Sequence, residues 1–138
     1  MITTEGTEST EKFLVECPED LIGQVIGAAI SVHREFGPGL LESVYEAALA
    51  IELGELGIAA DRQVEVAAAY RGYPLGLGFR ADIVVGGSLL LELKAVEKLN
   101  DAHLGQVMTY LKLLRIKRGL LINFNERLLK NGIRRISI

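Results

Sequence analysis

Apolar residues recur at the three- and four-residue spacing of a helix face in two stretches of the first half of the chain. The first predicted helix begins near Pro18, a residue that suits a first helical turn, and Gly37-Pro38-Gly39 ends it after Phe36. The second runs from about Leu40 to Leu56, just before a glycine suited to a helix end. The apolar positions are Leu21, Ile22, Val25, Ile26, Ala29 and Ile30 in the first helix, and Leu41, Tyr45, Ala48, Leu49, Ile51 and Leu53 in the second.

The rest of the chain has the pattern of strands around one further helix. Asn100 can cap this third helix, which is predicted to end near Arg115. The run 119–124 is nearly all apolar, as expected for a strand covered on both faces, and we expect it to pair in parallel with 89–94 across the helix. A short strand at 73–77 is weakened by a proline and glycines. The main predicted strands are 63–70, 79–85, 89–94, 119–124 and 133–138.

These elements predict one α/β domain of order ααβββαββ, with a mixed four- to five-stranded sheet flanked by helices. A chain of 138 residues can bury a core of that size. We expect the domain to span residues 18–138 and residues 1–17 to form a disordered acidic leader, because residues 1–12 are polar and acidic. No apolar run approaches the roughly 18 residues of a membrane span. Because Cys17 is the only cysteine, no intrachain disulfide can form, and we expect a cytoplasmic protein without membrane association.

Three charged residues interrupt the apolar strands on either side of Gly86-Gly87. Asp82 precedes the glycines, and Glu92 and Lys94 follow them at a spacing of two, which places both on one face of a strand. A two-residue turn at the glycines would leave Asp82 and Glu92 on opposite faces. A three-residue turn that includes Ser88, or one bulged residue, would bring them to the same face, and we expect this cofacial register.

Two carboxylates on one face repel each other. At about 4 Å and an effective dielectric constant near 20, a like-charged pair costs roughly 4 kcal/mol. Lys94 can neutralise only one of them, and protonation of a carboxyl group is another way to relieve the repulsion. A hard divalent cation such as Mg²⁺ or Mn²⁺ suits the site better, because it prefers oxygen ligands. The alternative is a structural Glu92–Lys94 pair on a solvated strand, with Asp82 beginning a turn. The spacing alone leaves both interpretations open.

Charge is distributed unevenly along the chain, although the net charge is only −3. Residues 1–93 contain 5 basic and 15 acidic side chains, and residues 94–138 contain 10 and 3. Such a chain can fold with one cationic flank that meets phosphates. A set of unrelated solvated side chains is the alternative. The basic residues considered are Lys112, Arg115, Lys117, Arg118, Arg127, Lys130, Arg134 and Arg135.

Together, the motifs resemble a known family. Asp82, nine intervening residues and then Glu92-Leu93-Lys94, all after an amphipathic helix, resemble the core of the PD-(D/E)XK nuclease superfamily, with Ala81 in place of its usual proline. The segment from Gly39 to Tyr45 matches the motif that names the GxxExxY family, a branch of that superfamily. The segment from Gln106 to Tyr110 resembles the QxxxY element of the lambda-exonuclease-like and Cas4-like branches. The resemblance covers nearly the whole chain outside the leader and implies a restriction-endonuclease-like core.

The resemblance also implies roles for individual residues. Asp82 and Glu92 would bind Mg²⁺ or Mn²⁺, and Glu42 would hold the metal directly or through water. Lys94 would orient the attacking water and stabilise the negative transition state.

Further residues are implied around this centre. Gln106 and Tyr110, four apart on one helix face, would hydrogen-bond the site or the DNA backbone. Arg80 shares the face of Asp82 and would contact phosphate or pair with a carboxylate. His103 falls near the same stripe, where a structural role is the preferred interpretation.

The expected function is a metal-dependent nuclease that hydrolyses nucleic acid, with DNA as the favoured substrate, by metal-activated water. One alternative is a catalytically inactive module of the same fold that binds nucleic acid or a protein partner. A junction-resolving or tRNA-processing relative is another. We also expect a homodimer, since a 15.0 kDa chain has little surface for gripping a duplex.

Overall fold

The computed structural model describes residues 13–76 and 78–138. We name the helices α1 to α3 and the strands β1 to β7 in chain order, and one 3₁₀ turn at Leu129–Gly132 precedes the last strand. The helices are α1 (Glu19–Phe36), α2 (Glu42–Glu55) and α3 (Asp101–Leu114). The strands are β1 (Ala60–Val66), β2 (Ala69–Tyr70), β3 (Tyr73–Pro74), β4 (Phe79–Val85), β5 (Leu89–Lys94), β6 (Arg118–Asn123) and β7 (Ile133–Ser137).

The main sheet contains five strands in the order β1-β4-β5-β6-β7. Only β5 and β6 are parallel, and α3 forms the crossover between them; the other neighbours are antiparallel. The predicted α/β class, the order ααβββαββ and the parallel pair are therefore confirmed. The last strand lies at an edge, as expected.

The first strand departs from its predicted bounds of 63–70. It begins at Ala60 and ends at Val66, and the following residues form a separate small hairpin of β2 and β3. The turn of this hairpin is Arg71-Gly72, with φ of 51° and 82°. Positive φ at both residues is the geometry that two-residue hairpins require, so this turn outweighs the alternating pattern that continued through Tyr70.

Helices cover both faces of the sheet and produce two cores. On one face α1 and α2 pack against the side chains of Ile83, Leu91 and their neighbours. On the other face α3 packs against a second cluster that includes Val84 and Leu90. Because both faces of β5 are covered, its residues from Leu89 to Leu93 are buried, and a charged residue in this strand needs a specific partner.

Tyr45 fixes the start of α2 in relation to the sheet. Its side chain is fully buried and stacks on Phe124 with ring centroids 4.5 Å apart. Its hydroxyl donates to the carbonyl oxygen of Gly37 at 2.6 Å and accepts from the N–H of Leu40 at 3.1 Å. This residue of the Gly39–Tyr45 motif thus closes the turn between α1 and α2.

The predicted leader, residues 1–17, lies mostly outside the described residues. Within its last five residues, Val15 forms a parallel bridge with Ile116, and Cys17 is buried against the first core. None of the helices in the described ranges has the apolar length that crossing a membrane requires.

Replacement of Tyr45 by phenylalanine should destabilise the fold by about 1–3 kcal/mol. The stacking on Phe124 is kept, but the backbone groups of Gly37 and Leu40 lose their hydroxyl partner. Urea denaturation of Tyr45→Phe measures this loss. The matched control is Tyr70→Phe at an exposed tyrosine, which should stay within about 0.5 kcal/mol of the unsubstituted protein. Equal stabilities of the two variants would contradict this role for the hydroxyl.

Candidate active site

The turn between β4 and β5 contains three residues. Val85 pairs with Leu89, Gly86 and Gly87 both adopt positive φ, and the N–H of Ser88 donates to the carbonyl oxygen of Val85 at 3.0 Å. Of the two turns considered from the sequence, the structure has the longer one. The register therefore places Asp82 across from Glu92, as expected.

Backbone pairing between β4 and β5 stops at Ile83 and Leu91, one residue before the two acids. Beyond this point, backbone N–H groups donate to the side-chain carboxylates in place of backbone carbonyl oxygens. The N–H of Asp82 donates to Glu92 Oε1 at 3.0 Å, and the N–H of Leu93 donates to Asp82 Oδ2 at 2.8 Å. The strands thus separate, and two acidic side chains occupy the gap between them.

Burial and mutual repulsion oppose the ionisation of this pair. Desolvation first, and then the charge of Asp82, raise the pKa of Glu92 to about 8. Burial likewise raises the pKa of Asp82, although the hydrogen bond from Leu93 works in the opposite direction. Lys94 favours the ionised form of both carboxyl groups through its charge. One lysine does not compensate for the burial of two carboxylates, so Glu92 retains its proton well above its usual pKa.

The first turns of α2 bring two more carboxylates to this site. Glu42 opens the helix, and its Oε2 accepts from the N–H of Ala95 at 3.4 Å. Glu46 follows one turn later on the same helix face, and its charge raises the pKa of Asp82. These residues line a shared pocket of about 410 Å³, formed by Glu42, Ser43, Glu46, Gln63, Asp82 and Leu93.

Glu46 is a site residue that the sequence analysis missed. Only 7 % of it is exposed, and Arg62 donates to its Oε2 from Nε and Nη2, each at 3.0 Å. Gln63 Nε2 donates to Oε1 at 2.7 Å. The spacing of four residues from Glu42 was the available signal, but nothing in the sequence placed Arg62 and Gln63 opposite this helix.

Gln63 has an unusual backbone conformation for a residue inside a strand. Its φ is 51°, and it lies across from Asp82 at the one step where β1 and β4 do not pair. A non-glycine residue in this region costs on the order of 1–3 kcal/mol and occurs often at functional sites. The distortion thus directs the amide of Gln63 toward Glu46 beside the acidic pair.

Lys94, Gln106 and Tyr110 form a chain of polar contacts on the α3 side. Lys94 Nζ donates to Gln106 Oε1 at 3.5 Å, and Gln106 Nε2 donates to the hydroxyl of Tyr110 at 3.3 Å. Burial and the charge of Glu92 raise the pKa of Tyr110. The structure therefore brings the QxxxY residues to the same centre as Asp82 and Glu92.

Two other predicted residues lie at the margin. Arg80 is exposed and faces Glu65 in the pairing of β4 with β1, so its proposed contact with phosphate stays a prediction. His103 forms a reciprocal cap with Asn100: its N–H donates to Asn100 Oδ1 at 3.0 Å, and its Nδ1 accepts from the N–H of Asn100 at 3.1 Å. The preferred structural role of His103 agrees with this geometry.

A family model of the PD-(D/E)XK nuclease superfamily matches residues 19–136. The chain belongs to the PD-(D/E)XK nuclease superfamily. No match to a curated protein or to a solved structure was found. The matched range contains every element from α1 to β6, all but the last residue of β7, and every residue of the site described above.

The superfamily implies a divalent metal, and the donor set of this site fits one. All the candidate ligands are carboxylate oxygens, which Mg²⁺ and Mn²⁺ prefer, and burial of the Asp82–Glu92 pair disfavours the charged state that a cation would stabilise. In the described parts of the chain, no three His, Cys, Asp or Glu side chains are yet grouped as metal ligands. Glu42 lines the same pocket as Asp82 and raises its pKa through its charge, while its Oε2 accepts from the N–H of Ala95 at 3.4 Å.

In a buffer with chelator, the stability of the protein should fall as the pH rises from about 4.5 to about 8. In this interval unfolding releases the proton that folded Glu92 retains, so the slope from this group is up to about 1.4 kcal/mol per pH unit. Below and above the interval both states carry the same charge at this residue. Glu92→Gln keeps a side-chain oxygen that accepts from the N–H of Asp82. Because glutamine does not titrate, this variant should flatten the slope.

Urea denaturation at a series of pH values measures the effect. The control Glu55→Gln, at an exposed glutamate of α2, should keep the slope of the unsubstituted protein. A slope that Glu92→Gln leaves unchanged would show that Glu92 is not the group that opposes ionisation.

Proposed function

We propose that this protein is a metal-dependent nuclease that hydrolyses phosphodiester bonds of nucleic acid, with DNA as the favoured substrate. The observation that carries the proposal is the gap between β4 and β5. There, Asp82 and Glu92 face each other next to Lys94, and Glu42 approaches from α2. Membership of a nuclease superfamily supports the same conclusion.

Asp82 and Glu92 would hold Mg²⁺ or Mn²⁺, with Glu42 as a further ligand, directly or through water. When bound, such a cation would polarise the phosphate and lower the pKa of a neighbouring water. The half-buried ammonium of Lys94 lies beside the carboxylates, where it can orient the attacking water and offset negative charge in the transition state. Arg62 and Gln63 hold Glu46 in place, and this limits how far the acidic pocket can rearrange.

Gln106 and Tyr110 would support Lys94 from α3 and offer hydrogen bonds to the nucleic-acid backbone. Arg80, on β4, would contact a phosphate of the same backbone. We place the protein in the GxxExxY branch on the basis of the segment from Gly39 to Tyr45. A cytoplasmic location and a homodimer complete the proposal. The first is supported by a single buried cysteine, and the second by the small size of the chain.

A second candidate is a catalytically inactive module of the same fold that binds nucleic acid or a protein partner. The observation in its favour is that Glu42 contacts backbone, and that no three-residue metal cluster is assembled among residues 13–76 and 78–138. Metal binding separates the two candidates, since an inactive module has no need to retain it.

Purified protein should cleave DNA in the presence of Mg²⁺ or Mn²⁺ and not with chelator, and Lys94→Ala should reduce the rate by at least about a hundredfold. Gel assays on single-stranded, duplex and branched DNA and on RNA measure cleavage. The control Lys112→Ala, at an exposed lysine of α3, should retain full activity. Absence of cleavage on every substrate, with protein that is folded, would contradict the nuclease proposal.

Mn²⁺ should also stabilise the protein, whether or not a cleavable substrate has been found. At a concentration about a hundred times the Kd, binding adds about 2.7 kcal/mol, equivalent to several degrees in Tm. Asp82→Asn should remove this shift because it takes one charge from the pair, whereas the exposed control Asp61→Asn should keep it. Calorimetry with Mn²⁺ gives the stoichiometry. A shift that is equal in both variants would place the metal elsewhere.

A further inference from the structure

A second pocket, separate from the acidic one, lies between the end of α1 and the segment that follows β6. Its volume is about 490 Å³. Three cationic side chains line it: Arg34 from the last turn of α1, and Arg127 and Lys130 from the segment between β6 and β7. The remaining lining residues are Ile30, His33, Gly37, Pro38, Leu128 and Leu129.

The lining of this pocket includes no acidic residue. Glu126, next to Arg127 in the chain, lines a different pocket together with Glu97, and its backbone carbonyl accepts from His33 Nε2 at 2.7 Å. A cation in the last turn stabilises a helix, which accounts for Arg34 but not for Arg127. The concentration of positive charge thus needs a further explanation.

Other basic residues of the C-terminal part differ in this respect. Arg118 and Arg135 both form ion pairs with Glu19, at 2.9 and 2.6 Å, and Lys117 pairs with Glu16 at 3.2 Å. Among the described residues, no ion pair involves the three cations of the second pocket. Lys112 and Arg134 also have no ion pair among these residues, so what distinguishes Arg34, Arg127 and Lys130 is that they line one pocket.

The second pocket is connected to the candidate active site through Tyr45. Its wall includes Gly37, whose carbonyl oxygen accepts from the hydroxyl of Tyr45, and this tyrosine lies on α2, which begins at Glu42. Tyr45 also stacks on Phe124, whose N–H donates to the carbonyl oxygen of Lys94 at 2.8 Å. A series of short contacts thus connects the second pocket to Lys94, and α2 connects it to Glu42.

We propose that Arg34, Arg127 and Lys130 bind a phosphate group of the nucleic-acid strand other than the one that is cleaved. This inference rests on the proposed function for the identity of the ligand. Phosphate oxygens match guanidinium and ammonium donors, and the apolar lining offers a surface for a sugar or base. The site anchors the strand while another phosphodiester of the same strand occupies the acidic pocket.

The test measures binding without catalysis. Fluorescence anisotropy of a short labelled single strand, in a buffer with chelator and at several salt concentrations, gives the Kd and its salt dependence. The double variant Arg127→Gln/Lys130→Gln leaves the helix end at Arg34 intact. It should weaken binding roughly tenfold and lower the slope of log K against log salt by about 0.7 for each lost contact.

The control is Lys112→Gln/Arg134→Gln. It also removes the charges of one lysine and one arginine, but on the α3 side of the sheet. Arg134 pairs with Leu121, whose side chain belongs to the α3 core. The control should keep the slope of the unsubstituted protein. Arg127→Lys keeps the charge and should bind the strand nearly as tightly as the unsubstituted protein. A strand with a 5′-phosphate and one with a 5′-hydroxyl distinguish a terminal from an internal phosphate as the ligand.

Equal slopes for the pocket variant and the control would overturn the inference, as would a failure of the unsubstituted protein to bind any strand. These outcomes are independent of cleavage. If the protein binds through this pocket but cleaves nothing, the nuclease proposal fails and the pocket assignment stands. If it cleaves DNA while the pocket variant binds like the control, the reverse holds.

Discussion

The site depends on one constraint, which is that two carboxylates lie in a gap where a β-ladder would otherwise continue. Asp82 and Glu92 accept backbone N–H groups from the opposite strand, so they replace hydrogen bonds that the sheet lacks at this point. The same bonds hold the carboxyl groups close together in a buried setting, where ionisation is costly. The hydrogen bonds that connect the strands therefore also hold two carboxyl groups where their ionisation requires nearby positive charge. Lys94 supplies only part of this charge.

Much of this fold could be predicted because its signals are local. The double glycine marked a tight turn, and the three-residue turn, one of the two routes considered to a cofacial register, places Asp82 opposite Glu92. The apolar run in β6 and the helix before it were sufficient for the parallel pair. The bounds of β1 were wrong because the Arg71-Gly72 turn formed its own hairpin, and alternation alone does not show where one strand ends and the next begins.

The candidate site was predicted less completely, because part of it depends on contacts between distant segments. Glu42 and Asp82 could be inferred from motifs, whereas the ties from Arg62 and Gln63 to Glu46 depend on how α2 crosses β1. The second pocket likewise combines residues from opposite ends of the chain. The spacing of residues in a sequence does not indicate that such distant segments lie in contact. Only the charge imbalance of the C-terminal part indicated a cationic flank.

The left-handed backbone at Gln63 has a consequence for the outer border of the sheet. β1 is an edge strand, and a residue with φ of 51° in its middle prevents it from offering an even row of donors and acceptors to another chain. At the opposite edge, β7 carries the adjacent arginines Arg134 and Arg135. Bent or charged borders are how natural sheets avoid growing by strand addition. The irregularity beside the acidic pair thus also makes β1 a poor template for pairing with a strand of another chain.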